Sequence, residues 1–398
     1  MENLTTRRKL TILISGLFIE LTVGIVYAYT VLRVYLENEL GLNQVQSSIP
    51  YLLSLFFFAF FVMIAGRMIH EKTFKLWIVV GITSVVLGYM LASIAKDITL
   101  ISTSIGVFLG SGVGILYGIP VKISQNLFKK RRGLTVGLTI GGFGMSSVIT
   151  APLLQFSLDQ FGLQQTFIIF GIISGIILIT ASVLMTYKVE LNQMYRKILK
   201  KEIEKPGKLF PVFFVVFMIG IMFGLSMIGL TSYIGIKDYN LSIESISLWI
   251  ILYSTCNGLS RPLFGYIYDR FHLKPTIYLL SGMTLLVSLF YLFIDFRSES
   301  FFILTMGLSW ATVGGYLSLM PNLTRDLFGE KSFTRNYGTM YFSYGIAAII
   351  GNLYTSFMID QQIDFGLIFI PVIILNLGLV IFMSYKKIKY YDVNQNAV

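Results

Sequence analysis

The feature that most restricts this chain is a series of long stretches without any Asp, Glu, Lys or Arg. Ten occur: Ile49 to Gly66, Leu76 to Ala95, Ile98 to Val121, Gly133 to Leu158, Gln165 to Tyr187, Leu209 to Ile236, Pro275 to Ile294, Ser300 to Thr324, Asn336 to Ile359 and Phe365 to Tyr385. Crossing a hydrocarbon core takes about 20 predominantly apolar helical residues. Two more stretches of spanning length, Leu10 to Leu32 and Ser245 to Tyr268, carry one charge each, Glu20 and Arg261. The pattern predicts an all-α membrane protein with twelve transmembrane helices. Composition points the same way. The 398 residues are 55% hydrophobic and only 13% charged, where soluble domains run at about 25% charged, so too little polar material exists to cover a water-soluble globule.

The net charge of +11 invites a nucleic-acid reading, but the placement of the basic residues gives it another meaning. With both termini cytoplasmic, 26 of the 31 Lys and Arg fall in cytoplasmic segments, leaving Arg33, Lys96, Lys237 and Arg297 outside and Arg261 within a span. That is the positive-inside rule, so no nucleic-acid partner is expected. Arg7, Arg8 and Lys9 ahead of the first apolar stretch resemble a signal peptide, but the stretch is too long and lacks a small-residue cleavage site; it is read as a retained first span.

Enzymatic chemistry finds no support. A single Cys256, with His70 and His272, gives no metal-ligand cluster. No HExxH, G-x-S-x-G or P-loop occurs, and the glycine run from Gly110 to Gly114 lies inside a span. No cofactor and no metal are expected, and ATP is not the direct energy source by that route.

The longest connection, 188–208, is rich in Lys and Glu and separates six spans from six. Features recur across it at an offset of about 200: Pro120 with Pro321, Phe128 with Phe328, Gly137 with Gly338, Gly144 with Gly345, Asp159 with Asp360, and Gly66 with Gly265. The predicted organisation is an N-terminal six-helix bundle (1–187), a cytoplasmic linker (188–208) and a C-terminal six-helix bundle (209–398), pseudosymmetric and facing each other across a central site. This is the arrangement used for alternating access.

Gly265-Tyr-Ile-Tyr-Asp269-Arg270-Phe-His-Leu-Lys274 resembles the loop signature G-x-x-x-D-R-x-x-x-[RK] of the major facilitator superfamily. The first-half copy from Gly66 is degenerate, with His70 where the acid is expected. Three patches resemble the oxalate:formate antiporter group and the monocarboxylate transporters within that superfamily. They are Gly112 to Tyr117 followed by Lys129-Lys130-Arg131-Arg132-Gly133-Leu134, Asn257-Gly-Leu-Ser-Arg261-Pro262-Leu-Phe-Gly265, and Asn336-Tyr337-Gly338 leading into Ser343-Tyr344-Gly345. The resemblance implies the major facilitator fold and a secondary transporter of small carboxylate anions of the lactate, pyruvate, formate or oxalate class. The coupling would be proton symport or anion exchange.

Arg261 is the key residue. A guanidinium near mid-span costs some 2.5 kcal/mol even on lenient insertion scales, so it must face protein, water or an anion. Its fork of donors matches a carboxylate, and the resemblance implies a substrate-binding role. The alternatives are a permanent pair with a protein acid or a side chain that snorkels away. Asn257 lies one turn before it and Gly265 one turn after. Glu20, with Gly24 and Tyr27 on its face, is a proton-coupling candidate that the related transporters do not usually carry; a fixed bridge to Arg261 or a hydrogen-bonded structural acid are the competing readings.

Tyr117 follows Gly106, Gly110 and Gly114 at a spacing that permits close helix packing. It is read either as a substrate contact, which the resemblance implies, or as a packing tyrosine. Tyr344 stands where oxalate exchangers carry a lysine, so one fixed cation remains and one carboxylate is balanced better than two. The substrate-binding set is therefore Arg261, Asn257, Tyr117, Tyr27 and Tyr344. Gly265, Asp269, Arg270, Arg131 and Arg132 are assigned to cytoplasmic gate contacts. Trp310 and Tyr316 could close the cavity, or belong to core or lipid surface. The expected setting is a bacterial inner (cytoplasmic) membrane, multi-pass and monomeric, with protons or a counter-anion as coupling partner. The competing reading is a major facilitator exporter of neutral or drug-like solutes, in which Arg261 and Glu20 merely pair.

Overall fold

A computed structural model describes residues 4–70, 72–127, 132–187, 209–293, 298–329 and 333–385. Its helices are α1 (Thr6–Leu40), α2 (Gln44–Met68), α3 (Phe74–Ser93), α4 (Ile98–Ser124), α5 (Arg132–Thr186), α6 (Phe210–Lys237), α7 (Ile243–Phe271), α8 (Leu273–Phe293), α9 (Glu299–Phe328), α10 (Phe333–Asp360) and α11 (Leu367–Tyr385). No strand occurs among the described residues. The 188–208 connection, which carries the expected half boundary, lies outside them.

Among the described residues, ten helices are long and apolar enough to cross a membrane. The expected count of twelve differs from this in two places. Helix α5 runs 55 residues but is broken at Gly162, whose φ of 71° only glycine adopts readily, so its two limbs are two helices joined at a kink, one for each of the two expected stretches. Helix α7, which carries Arg261, falls outside the ten.

Local signals set the helix ends. Thr5 caps α1 by accepting from the Arg8 amide, and Gly41, at φ 62°, ends it in the left-handed conformation. Asn43 and Gln46 form a reciprocal capping box at the start of α2. Ser242 and Ser298 cap α7 and α9. Prolines 50, 120, 152, 262 and 321 sit inside helices, tolerated where neighbouring helices satisfy the freed carbonyls.

Apolar side chains face outward. Ile172, Ile173, Ile176, Ile179 and Val183 are exposed along the second limb of α5, as are Ile370, Ile374, Leu377 and Ile381 on α11. Serine, threonine and asparagine are buried beside the apolar core, including Ser147, Thr231, Asn257, Thr284 and Asn352. An apolar exterior over an interior that admits polar side chains is the distribution that lipid solvent dictates.

The closest packing between helices on either side of the 188–208 connection involves α2 with α10 and α5 with α7. At the repeat offset, α7 is the counterpart of α2, and α10 is that of the first limb of α5. The two contacts are therefore equivalent, and they bring α1, α2, α4, α5, α7, α9 and α10 around one central region.

Candidate functional site

Two helices depart from α geometry near this centre. Helix α1 tightens to a 3₁₀ turn over Gly24–Ala28, and α4 widens to a π stretch over Ser102–Leu109. Such departures often mark functional positions. The cause in α1 is contact. A Cβ on Gly24 would stand 2.4 Å from the Phe143 carbonyl oxygen, so α1 lies directly on α5 and the turn carries Tyr27 inward. Helix α4 meets α2 through Gly110 and Gly114, which face the Ser54 and Phe58 backbone.

Arg261 is fully buried. Its Nη1 donates to the Ile140 carbonyl on α5 at 2.5 Å, and its Nη2 donates to Asn257 Oδ1 at 3.1 Å. Asn257 is oriented by donating from Nδ2 to the Trp310 carbonyl at 2.9 Å. Gly144 makes room for both, since a Cβ there would lie 2.5 Å from Asn257 Oδ1 and 2.9 Å from Arg261 Nε. The guanidinium carbon sits 5.5 Å from the Phe143 ring centroid, within cation–π range. Its Nε has no protein partner, and no Asp or Glu among the described residues forms an ion pair with Arg261. Among the described residues, neither alternative, an acid pair or a snorkelling side chain, is seen for Arg261.

Glu20 is buried on the opposite side of α5. Its Cβ lies against Gly142, and neither carboxyl oxygen has a protein hydrogen-bond partner. Arg261 is near enough to act on it electrostatically without touching it. One cation and one acid thus flank α5 in apolar surroundings.

Aromatic rings fill the space between them. Phe143 contacts Tyr27 at 5.1 Å, Phe58 at 5.2 Å and Tyr117 at 5.3 Å between centroids. Tyr117 also meets Tyr341, which meets Tyr344 and Tyr337. The Tyr27 and Tyr344 hydroxyls are 3.1 Å apart, while those of Tyr117, Tyr337 and Tyr341 form no hydrogen bond of normal geometry among the described residues. Arg261, Asn257, Tyr117, Tyr27 and Tyr344 are therefore brought together in one buried cluster. Sequence reasoning missed Phe58, Phe143, Tyr337 and Tyr341 as members. Trp310 belongs to it, donating to Thr231 at 3.0 Å with its ring 6.3 Å from that of Tyr27. Tyr316 is buried but bonds Ser281, away from the cluster.

The cluster is closed at both ends. At one end, Arg67 donates to Thr339 at 3.0 Å, and the backbones of Gly66 and Gly338 press against Thr334 and Val62. Of the assigned gate residues, Gly265 is buried, Asp269 is exposed, and Arg270 contacts Tyr266 and Phe271 of its own helix among the described residues. Arg131 lies outside the described residues, and of Arg132 only the backbone, at the start of α5, is described. At the other end Arg33, expected in an outside loop, is buried within the bundle.

A sequence profile of the Major Facilitator Superfamily matches residues 12–234 and 209–395, once across each half of the chain. The chain belongs to the major facilitator superfamily. It is a multi-pass membrane transporter and not an enzyme. Among its relatives is the oxalate:formate antiporter of Oxalobacter formigenes, 25% identical over 61% of this chain and 59% of that protein. An uncharacterized MFS-type transporter of Escherichia coli (strain K12), YhjX, is 24% identical over 87% of each chain. Monocarboxylate transporter 9 of Gallus gallus is 35% identical over 24% of this transporter and 19% of its own length. The resemblance to the antiporter and monocarboxylate transporter group thus stands beside the superfamily membership.

Proposed function

We propose that this transporter is a secondary carrier of small carboxylate anions, of the lactate, pyruvate, formate or oxalate class. It works by alternating access, with coupling to protons or to a counter-anion. The observation that carries the reading is Arg261: a fully buried guanidinium held by the Ile140 carbonyl and Asn257, with an unused Nε donor and no acid bound to it among the described residues. A permanent cation at that depth is costly unless something neutralises it, and a carboxylate matches its donors in charge and geometry.

The surroundings suit such a cargo. Tyr117, Tyr337 and Tyr341 carry unpartnered hydroxyls that can donate to carboxylate oxygens. Tyr344 contributes no second positive charge, so a single carboxylate is the better electrostatic match. Glu20, close to Arg261 yet unbonded, is the group we assign to proton coupling. The oxalate:formate antiporter and monocarboxylate transporters among the relatives support the same class. The topology that accompanies this reading is two six-helix halves, 1–187 and 209–398, joined by 188–208, with cytoplasmic termini in a bacterial cytoplasmic membrane and a monomer as working unit.

Uptake into proteoliposomes of labelled formate, lactate, pyruvate and oxalate, beside a labelled neutral solute, tests it. Saturable uptake of the monocarboxylates above that of the neutral solute is expected. Transport of neutral compounds with no anion uptake would move the protein to the exporter reading.

A further inference from the structure

Arg33 is a second deeply buried guanidinium, 2% exposed, and anion binding at the centre does not use it. It stands just under two helical turns beyond Tyr27 along α1, on the side away from Glu20, near the mouth opposite Arg67. Its donors are heavily engaged. Nε donates to Glu37 and Ser47, both at 2.9 Å, and Nη2 donates to the carbonyl and side chain of Gln44 at 2.7 and 2.6 Å. These partners belong to α1 and α2. Nη1 instead donates at 3.0 Å to the Gly229 carbonyl on α6, across to the helices that follow the 188–208 connection.

One turn back on α1, the Thr30 hydroxyl bonds Ser232 of α6 twice, donating to its hydroxyl at 2.9 Å and accepting from its amide at 3.0 Å. Thr30 and Ser232 are 202 residues apart, the offset of the internal repeat. The contact therefore joins equivalent helices where the halves meet on their pseudosymmetry axis. Nearby, Asp360 at the end of α10 accepts from the Val45 amide at the start of α2 at 3.2 Å, a carboxylate placed on a helix N-terminus. Every one of these bonds crosses between the halves, and all lie at one mouth.

We propose that Arg33 is the gating residue of this mouth: a latch prearranged by Glu37, Gln44 and Ser47 that seals the path by holding the Gly229 carbonyl. The division of its donors is the reason. The bonds to α1 and α2 keep the guanidinium extended when the halves part, and only the Nη1 bond has to break and re-form. A hydrogen bond to a charged donor is stronger than a neutral one, so Arg33 carries more of the closure than Thr30 and Ser232.

The test needs no transported substrate, so its outcome is independent of the anion reading. In a Cys256→Ser background, Asn352→Cys places a reporter thiol beneath the latch, because Asn352 is buried and lies against Gly229. A membrane-impermeant maleimide is applied to intact cells and to inverted vesicles. Arg33→Gln is expected to raise the labelling rate about tenfold, in only one of the two preparations; that is the population change for about 1.4 kcal/mol. Thr30→Val with Ser232→Ala should raise it less, in the same preparation. Equal labelling with and without Arg33 in both preparations overturns the proposal. If Arg33→Gln fails to fold, Arg33→Lys, which keeps the charge but not the fork of donors, takes its place, and unchanged labelling in that variant overturns the proposal as well.

Discussion

The hydroxyls of Tyr27 and Tyr344 meet at 3.1 Å, joining the 3₁₀ turn of α1 to the middle of α10 across the interface between the halves. Both side chains lie within the field of Arg261. On the proposed anion reading, this contact rearranges when cargo reaches the guanidinium.

In the proposed site Tyr344 contributes no charge, which makes its position a lever on selectivity. Tyr344→Lys adds a cation opposite Arg261, where a second carboxylate could pair with it. The ratio of oxalate to formate uptake should rise by about tenfold, the effect of about 1.4 kcal/mol of differential binding. Competition of unlabelled oxalate against labelled formate measures it, and an unchanged ratio removes Tyr344 from the binding surface.

Glu20 is the acid that the coupling reading requires to exchange its proton. Glu20→Gln keeps the shape and removes the titration. Accumulation driven by an imposed pH gradient should be lost, while exchange of internal for external anion at equal pH continues. Gradient-driven accumulation at the original rate would leave Glu20 a structural residue.

Two glycines separate fold from site. A Cβ on Gly24 meets the backbone oxygen of Phe143 at 2.4 Å, whereas the nearest atoms to one on Gly144 are the side-chain ends of Asn257 and Arg261, with the Gly258 Cα at 3.0 Å. Gly24→Ala should therefore cost the fold about 1–3 kcal/mol, as overpacking does, seen as a lower Tm in detergent. Gly144→Ala should leave Tm closer to that of the parent and weaken anion uptake by displacing the clamp. The reverse ranking would contradict the described packing.

Much of the architecture was legible because lipid makes span length and charge placement readable. The central cation was legible because a charge in hydrocarbon is conspicuous. Four of the aromatic members, Phe58, Phe143, Tyr337 and Tyr341, were not, since Phe and Tyr are abundant here and nothing in their chemistry marks those that face inward. The repeat could have found two of them. Phe143 is the counterpart of Tyr344, preceding Gly144 as Tyr344 precedes Gly345, and Phe58 corresponds to Asn257 at the offset that relates Gly66 to Gly265. Tyr337 and Tyr341 lie on the face of α10 that carries Tyr344, at i, i+4 and i+7. Arg33 was misread for a different reason: it follows the apolar stretch directly, and sequence does not reveal that α1 continues to Leu40 and buries it against Gly229. Among the described residues Arg270 meets Tyr266 and Phe271 of its own helix.

Counterflow of labelled formate in proteoliposomes, comparing the parent protein with Arg261→Lys, tests the central claim most directly. Lysine keeps the charge but lacks the planar fork of donors, so the account predicts a fall of at least about tenfold in uptake with the protein still folded by Tm. Formate counterflow in Arg261→Lys at the parent rate would contradict it.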